Sequence, residues 1–281
     1  MALRERDTSL EREMEIARRI QASFLPQVLP QFPGWEIATR FEPARQVAGD
    51  FYDAFPLVQN RRLGLVIGDV CDKGVGAALF MALFRTLIRA FAQQHYALRW
   101  MADLQLEGPA RDEEGERPSL PSIGTTALKN AVELTNRYMA STHGSSHMFA
   151  TLFFGVLDPA TGLLLFINGG HEPPLLIGAS GVKAELGPTG PLVGIFAEAQ
   201  FEIGSVRVEP GDTLLAFTDG VTEARNANGD LFGRDRLRTL LARPVLTASE
   251  LLDYVQAHVD EHVSGADTDD LALLALHRQP G

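Results

Sequence analysis

The stretch Leu63 to Leu83, LGLVIGDVCDKGVGAALFMAL, restricts the fold more than any other part of the chain. Leu63, Leu65, Val66 and Ile67 form the short apolar run of a buried strand, and from Ala77 apolar residues recur at helical spacing. Between them lies GDVCDKGVG, where Asp69 follows Gly68 and further glycines let the backbone turn sharply. A carboxylate at the end of a buried strand is costly to keep charged without a partner, and a metal ion would supply one.

The same setting recurs. Asp219 ends DTLLAFTDG, a hydrophobic strand followed by a carboxylate and Gly220, and Asp50 stands in QVAGDFYDAF between Gly49 and aromatic strand formers. Asp269 and Asp270 immediately precede LALLAL, a strand-like run near the C-terminal end. Acids so far apart in sequence, each at a strand end, are expected to converge on one edge of a sheet assembly. A donor set made only of oxygen suits Mg2+ or Mn2+ rather than zinc.

Composition excludes other classes. With 25 basic and 36 acidic residues the formal net charge is -11, which argues against nucleic-acid binding by phosphate neutralisation. At 281 residues, 45% hydrophobic and 22% charged, the chain suits a soluble globular protein with one sizeable core and an extension. Cys71 is the single cysteine, so no disulfide forms within the chain, and the start MALRERDTSLEREMEIARR is too charged for a signal peptide. A cytoplasmic setting is expected. No membrane insertion is expected either: the strongest apolar run, ALFMALF, ends at Arg85, short of the ~18 residues needed to span a bilayer.

Along the chain, Leu10, Met14, Ala17, Ile20 and Phe24 are spaced by three and four, which predicts an amphipathic helix ended by Pro26. Residues 1–28 are read as an N-terminal linker or regulatory helix and 29–281 as the main domain. Strands are predicted at WEIATRFEP, DFYDAFPL and RRLGLVIGDV, then a helix from Ala77. Residues 103–122, polar and rich in Pro and Gly, are expected to form a flexible insert. ALKNAVELTNRYM returns to helical period, with Leu128, Val132, Leu134 or Thr135, and Met139 inward. Strands follow at FATLFFGVLD, LLLFINGG, PLLI, VKAEL, FEIGSVRV and DTLLAFTDG, then helices GRDRLRTLLA and SELLDYVQAHVDEHV, the latter capped by Ser249, and a final strand LALLALH. The pattern by itself gives an α+β fold.

The blocks ARQVAGDFYDAFPL, LGLVIGDVCDKGVGAALFMAL, FATLFFGVLDPATG, NGGHEPPLL, GDTLLAFTDGVTEA and TDDLALLAL occur in an order that resembles the SpoIIE/RsbU-type serine phosphatases, over residues 35–278. These are a bacterial branch of the PP2C-like metal-dependent protein phosphatases. The resemblance implies an α/β/β/α sandwich of two mainly antiparallel sheets flanked by helices. It also implies two divalent cations, Mn2+ or Mg2+, roughly 3.5 to 4 Å apart. Asp69 would bridge them, the main-chain carbonyl of Val70 would be a further ligand, and Asp50, Asp219 and Asp269 would complete the site, with Asp270 the less favoured of its pair. A water shared by the ions, deprotonated near neutral pH, would attack a phosphoserine or phosphothreonine.

Arg45 aligns with a phosphate-holding arginine of the eukaryotic relatives; an exposed, salt-bridging arginine is the equal alternative. Many such enzymes carry a histidine, able to act as general acid, two positions after the bridging aspartate. Here that position is Cys71, which implies that a metal-bound water protonates the leaving oxygen or that turnover is modest. A Cys71 thiolate nucleophile is disfavoured because Ala77 stands where a phosphate-cradling arginine would be needed, and the GxxxxGK[ST] order of a nucleotide loop is missing. His171 in NGGHEPP is read as structural, and Asp53, Asp72 and Glu223 as supporting or solvated acids. The implied substrate is a phosphorylated STAS-domain anti-anti-sigma protein. The N-terminal helix would relay the signal of an upstream sensor protein and pair two subunits. The competing reading is a non-catalytic module of the same fold that binds a partner.

Overall fold

The computed structural model describes residues 2–105, 121–242, 247–263 and 269–280. The elements run α1 (Ala2–Phe24), β1 (Trp35–Glu42), β2 (Phe51–Leu57), β3 (Arg62–Val70), α2 (Val75–Gln105), α3 (Pro121–His143), β4 (Ala150–Leu157), β5 (Leu163–Gly169), β6 (Leu175–Gly178), β7 (Gly181–Glu185), β8 (Gly204–Arg207), β9 (Thr213–Phe217), α4 (Asp219–Thr222), α5 (Arg234–Leu240), α6 (Ala248–Val263) and β10 (Leu271–Arg278). They build two five-stranded antiparallel sheets, ordered β1-β10-β9-β6-β7 and β2-β3-β4-β5-β8. Helices α2 and α3 cover the second sheet and α6 covers the first, giving the α/β/β/α sandwich.

The last strand shows why the layers stack this way. Side chains alternate across a strand, so Ala272, Leu274 and Leu276 of β10 join the core between the sheets, while Leu271, Leu273 and Ala275 pack with Leu252, Val255 and Val259 of α6. Both faces are covered, and the sequence therefore reads as the unbroken run LALLAL. On the opposite side, Ala77, Met81, Phe84, Ile88 and Ala92 form one buried stripe of α2. Length and composition would let Val75–Gln94 cross a membrane, contrary to the expectation that no segment approaches that span. Its apolar stripe is instead used inside the domain, and Arg85 and Arg89 within it reach the buried carboxylate of Asp53 at 3.0 and 3.1 Å.

Other local expectations shift. In α1 the inward position belongs to Gln21 rather than Ile20, which is 55% exposed; Gln21 donates to the Ala48 carbonyl at 2.6 Å and accepts the Ala48 N–H at 3.0 Å. A polar residue wins there because it satisfies an otherwise unpaired backbone segment. The boundaries of the expected insert also move. Residues 103–105 close α2, residues 121–122 open α3 at Pro121, a residue suited to a first helical turn, and residues 106–120 lie outside the described residues.

Thr135, not Leu134, faces inward on α3, and its hydroxyl donates to the Ala131 carbonyl. Helix α6 starts one residue before Ser249: Thr247 Oγ1 accepts the Glu250 N–H, and the Glu36 carboxylate takes the Ala248 and Ser249 N–H groups. Ser249 Oγ accepts from Arg40 instead.

Candidate metal centre

The acids reach one place because each ends an element at the same end of the sandwich. Asp50 directly precedes β2 and Asp69 is the penultimate residue of the neighbouring β3; Asp219 opens α4 one residue after β9, and Asp269 and Asp270 lead into β10 beside it. Two sheets must come together closely for these to meet, and two glycines permit it. A Cβ on Gly49 would lie 2.6 Å from the Val70 carbonyl oxygen and 3.3 Å from Asp69 Oδ1, and one on Gly220 would lie 1.9 Å from the Asp270 carbonyl oxygen. The one-turn helix α4 was not expected from the sequence, which reads there only as a strand followed by a turn.

The electrostatics are those of carboxylates with too few cations. Burial pushes Asp50 well above the usual range, with the charges of Asp69, Asp270 and Asp219 adding to it and the Thr218 hydroxyl opposing it. That hydroxyl donates to Asp50 Oδ2 at 2.6 Å and accepts the Ala272 N–H at 2.9 Å, so β9 and β10 fix the acid's orientation. Asp69 is pushed up to about 7 by burial first and then by Asp219, Asp269 and Asp270, against a hydrogen bond from Asp50. Asp219 is pushed up to about 6 by burial, then by Glu223, Asp269 and Glu172.

The two adjacent acids differ. Asp270 is buried, and its oxygens accept the Ala44 and Gly49 N–H groups at 2.8 and 2.9 Å. Asp269 is half-buried, and both its oxygens accept from Lys73 Nζ at 2.8 Å. Lys73, in the GDVCDKGVG loop, and Thr218, beside Asp219, are site residues that sequence reasoning does not single out.

Among the described residues, no three Asp, Glu, His or Cys side chains are drawn into one ion's ligand shell. The acids influence one another through charge, and their chemistry fits divalent cations: oxygen donors, buried, mutually repelling, with the Val70 carbonyl lying beside Asp69 over Gly49.

The remaining sequence candidates fall around this group. Arg45 is exposed, next to the Ala44 N–H that Asp270 holds, and close enough to Lys73 to be felt as a like charge. Cys71 is half-buried, accepts the Phe149 N–H at 3.2 Å, and burial raises its thiol, the wrong direction for a thiolate. His171 is buried, with Nδ1 2.8 Å from Thr151 Oγ1, its N–H held by Asn168 Oδ1, and its imidazole dropped to about 3 by burial. Thr151 pairs with Asp69 across β3 and β4, so its side chain shares the Asp69 face of the sheet, and His171 braces the neighbouring strand through it. Asp72 and Glu223 are exposed. Asp53 is neither solvated nor in the group: it is fully buried against Arg85 and Arg89.

A family model described as Stage II sporulation protein E (SpoIIE) matches residues 59–279. The chain belongs to the SpoIIE family. Among its relatives, protein IcfG of Synechocystis sp. is 43% identical over 268 residues, 95% of this chain but 41% of IcfG, so the chain spans less than half of that relative. The phosphoserine phosphatase RsbU of Bacillus subtilis is 26% identical over 271 residues, 95% of this chain and 70% of RsbU. Among solved structures, the SiaA-PP2C domain of Pseudomonas aeruginosa superposes with a TM-score of 0.72 at 18% identity, covering 96% of this chain and 98% of that one. The SpoIIE-family chain thus has the PP2C-like fold.

Proposed function

We propose that this chain is a metal-dependent protein serine/threonine phosphatase. The observation that carries the reading is the set of buried aspartates from both sheets, raised in pKa by burial and by one another, on a fold shared with the PP2C phosphatase domain of SpoIIE from Bacillus subtilis. Bound by Asp50, Asp69, the Val70 carbonyl, Asp219 and Asp269, two Mg2+ or Mn2+ ions would supply an activated water and neutralise phosphoryl charge. Asp69 lies where the two halves of the site meet, and Thr218 and His171 keep Asp50 and the Asp69 strand in place. Asp270 is left to hold the Ala44–Gly49 backbone, which sets the position of Arg45. Arg45, exposed at the rim, holds the incoming phosphate with a planar donor fork. Cys71 takes no part in proton transfer, since its thiol is hydrogen-bonded and raised.

The substrate in this reading is a phosphorylated STAS-domain anti-anti-sigma protein in a cytoplasmic partner-switching pathway; the name of the RsbU relative, a phosphoserine phosphatase, supports the phosphoserine chemistry. Residues 29–281 form the catalytic domain and residues 1–28 the regulatory element, which receives an upstream sensor's signal and pairs two subunits. Support for the latter is the apolar cavity of about 460 Å³ between α1 and α2, and the exposed Ile16, Ile20 and Leu79 beside it.

Hydrolysis of p-nitrophenyl phosphate and of phosphorylated STAS-domain proteins, with Mn2+ and with EDTA, tests the activity. Turnover that needs Mn2+ and disappears in Asp219→Asn is expected; metal-independent partner binding without turnover would contradict it. Removing residues 1–25 is expected to change both mass in solution and turnover, and constancy of the two would refute the regulatory role.

A further inference from the structure

Besides burial, the charges that raise Asp219 are all acidic, Glu223, Asp269 and Glu172, and Glu172 is itself paired with a cation. Asp219 is raised in part by Glu172, the residue after His171 in the loop that leaves β5, and Glu172 accepts a 2.7 Å ion pair from Arg234 Nη2. Arg234 is the first residue of α5. The backbone behind it is tied to the helix that carries Asp219: Gly233 N–H donates to the Thr222 carbonyl and Phe232 N–H to that of Ala224. Burial of Phe232 and Leu237 keeps this segment packed. Arg234 is thus a cation mounted on the same support as a proposed metal ligand, with 46% of its side chain open to solvent.

We infer that Arg234 is a specificity residue, which grips an acidic side chain flanking the phosphorylated residue of the protein substrate. The inference rests on the phosphatase reading above and deepens it. An acidic rim repels a phosphoprotein, so local cations must offset that repulsion where the substrate backbone passes. Arg45 follows the Ala44 N–H that Asp270 holds, and Arg234 pairs with Glu172, whose charge reaches Asp219. A guanidinium matches a carboxylate through parallel N–H donors. Its present partner costs little to exchange, because a half-exposed ion pair in water is weak. Glu172 therefore acts as a resident stand-in for the substrate's acid, holding Arg234 ready and aimed.

The test uses the full chain with Mn2+ and three phosphoserine peptides that differ only beside the phosphoserine, where they carry Asp, Asn or Lys. The wild type is expected to prefer the Asp peptide over the Asn peptide in kcat/KM. Arg234→Ala lowers that preference about five-fold through KM, the size of a good exposed ion pair. Arg234→Lys keeps part of it, Arg234→Glu turns the preference toward the Lys peptide, and Glu172→Gln strengthens the preference for Asp. Raising the salt concentration erases these differences.

An Arg234→Ala enzyme that keeps the Asp preference, or one that loses kcat equally on all three peptides, would overturn the assignment. A wild type that hydrolyses no phosphoserine peptide and no p-nitrophenyl phosphate would overturn the phosphatase reading itself and this inference with it. Turnover of all three peptides without any preference would overturn the inference alone.

Discussion

Asp50 and Asp53 stand three residues apart at the edge strand of one sheet, both buried, and they have opposite surroundings. Asp53 faces outward to α2 and meets two arginines, Arg85 at 3.0 Å and Arg89 at 3.1 Å, the latter also lying over the Phe55 ring. Burial raises the Asp53 carboxyl while both guanidiniums pull it down. Asp50 meets Asp69, Asp270 and Asp219 and a single hydroxyl. A buried charge is retained when it is paired, so Asp53 has its counter-ions built in, whereas the group around Asp50 is left to find them in solution. The difference sets a structural ion cluster at Asp53 apart from the group proposed here to bind cations.

The same substitution at the two places should therefore act in opposite ways. Asp69→Asn is expected to reduce Mn2+-dependent turnover by on the order of 10³-fold or more, the scale of a lost metal contribution, while leaving metal-free stability equal or higher. Steady-state kinetics and thermal unfolding in EDTA check both halves. Asp53→Asn should leave the half-buried Arg85 and Arg89 short of a charge and lower stability by about 3 kcal/mol, read by urea denaturation. A stable Asp53→Asn, or a strongly destabilised metal-free Asp69→Asn, would break the comparison.

Smaller effects sharpen it. Gly220→Ala places a Cβ at 1.9 Å from the Asp270 carbonyl, in a spot occupied by backbone, and is expected to cost about 1–3 kcal/mol and to weaken Mn2+ binding. Calorimetry reads both. Burial raises Asp53 too, but its two arginines oppose the shift, whereas the acids around Asp50 also raise one another. The uncompensated region is therefore where the pH dependence is followed. Asp69 at about 7 and Asp219 at about 6 lie above the ordinary carboxylate value of 3.8, so the folded chain keeps protons that the unfolded chain has released. Their stabilising contribution is intact below about pH 4 and is lost as pH rises through 6 to 7. In EDTA the Tm should fall between pH 5 and pH 8 by a few degrees, roughly 2–4 °C for each kcal/mol lost. Mn2+ at pH 8 should reverse the fall, and Asp69→Asn should flatten it.

What could be read from the sequence follows from how local the causes are. Strands such as LALLAL and LGLVIGDV declare themselves through apolar runs and glycine stops, and the acids at their ends were therefore found one by one. The sandwich came from the family resemblance, because periodicity says nothing of which sheet a strand joins. Asp53 could not be told from Asp50 because its partners lie 32 and 36 residues on, and only the packing of α2 on β2 brings them together. The same reason hid Lys73 as a partner of Asp269, Thr218 as a holder of Asp50, and the pair of Glu172 with Arg234. Ile20 and Gln21 on α1 exchanged places because a backbone group at Ala48 needed both a donor and an acceptor.

Crystals soaked in MnCl2 at pH 8 and measured at the manganese edge give the most direct test that the uncompensated acids form a cation site. Anomalous peaks are expected between Asp50, Asp69, Asp219 and Asp269, with Asp53 still bound to Arg85 and Arg89. A well-occupied crystal with no peak among those four aspartates, or with manganese bound only elsewhere, would contradict the account.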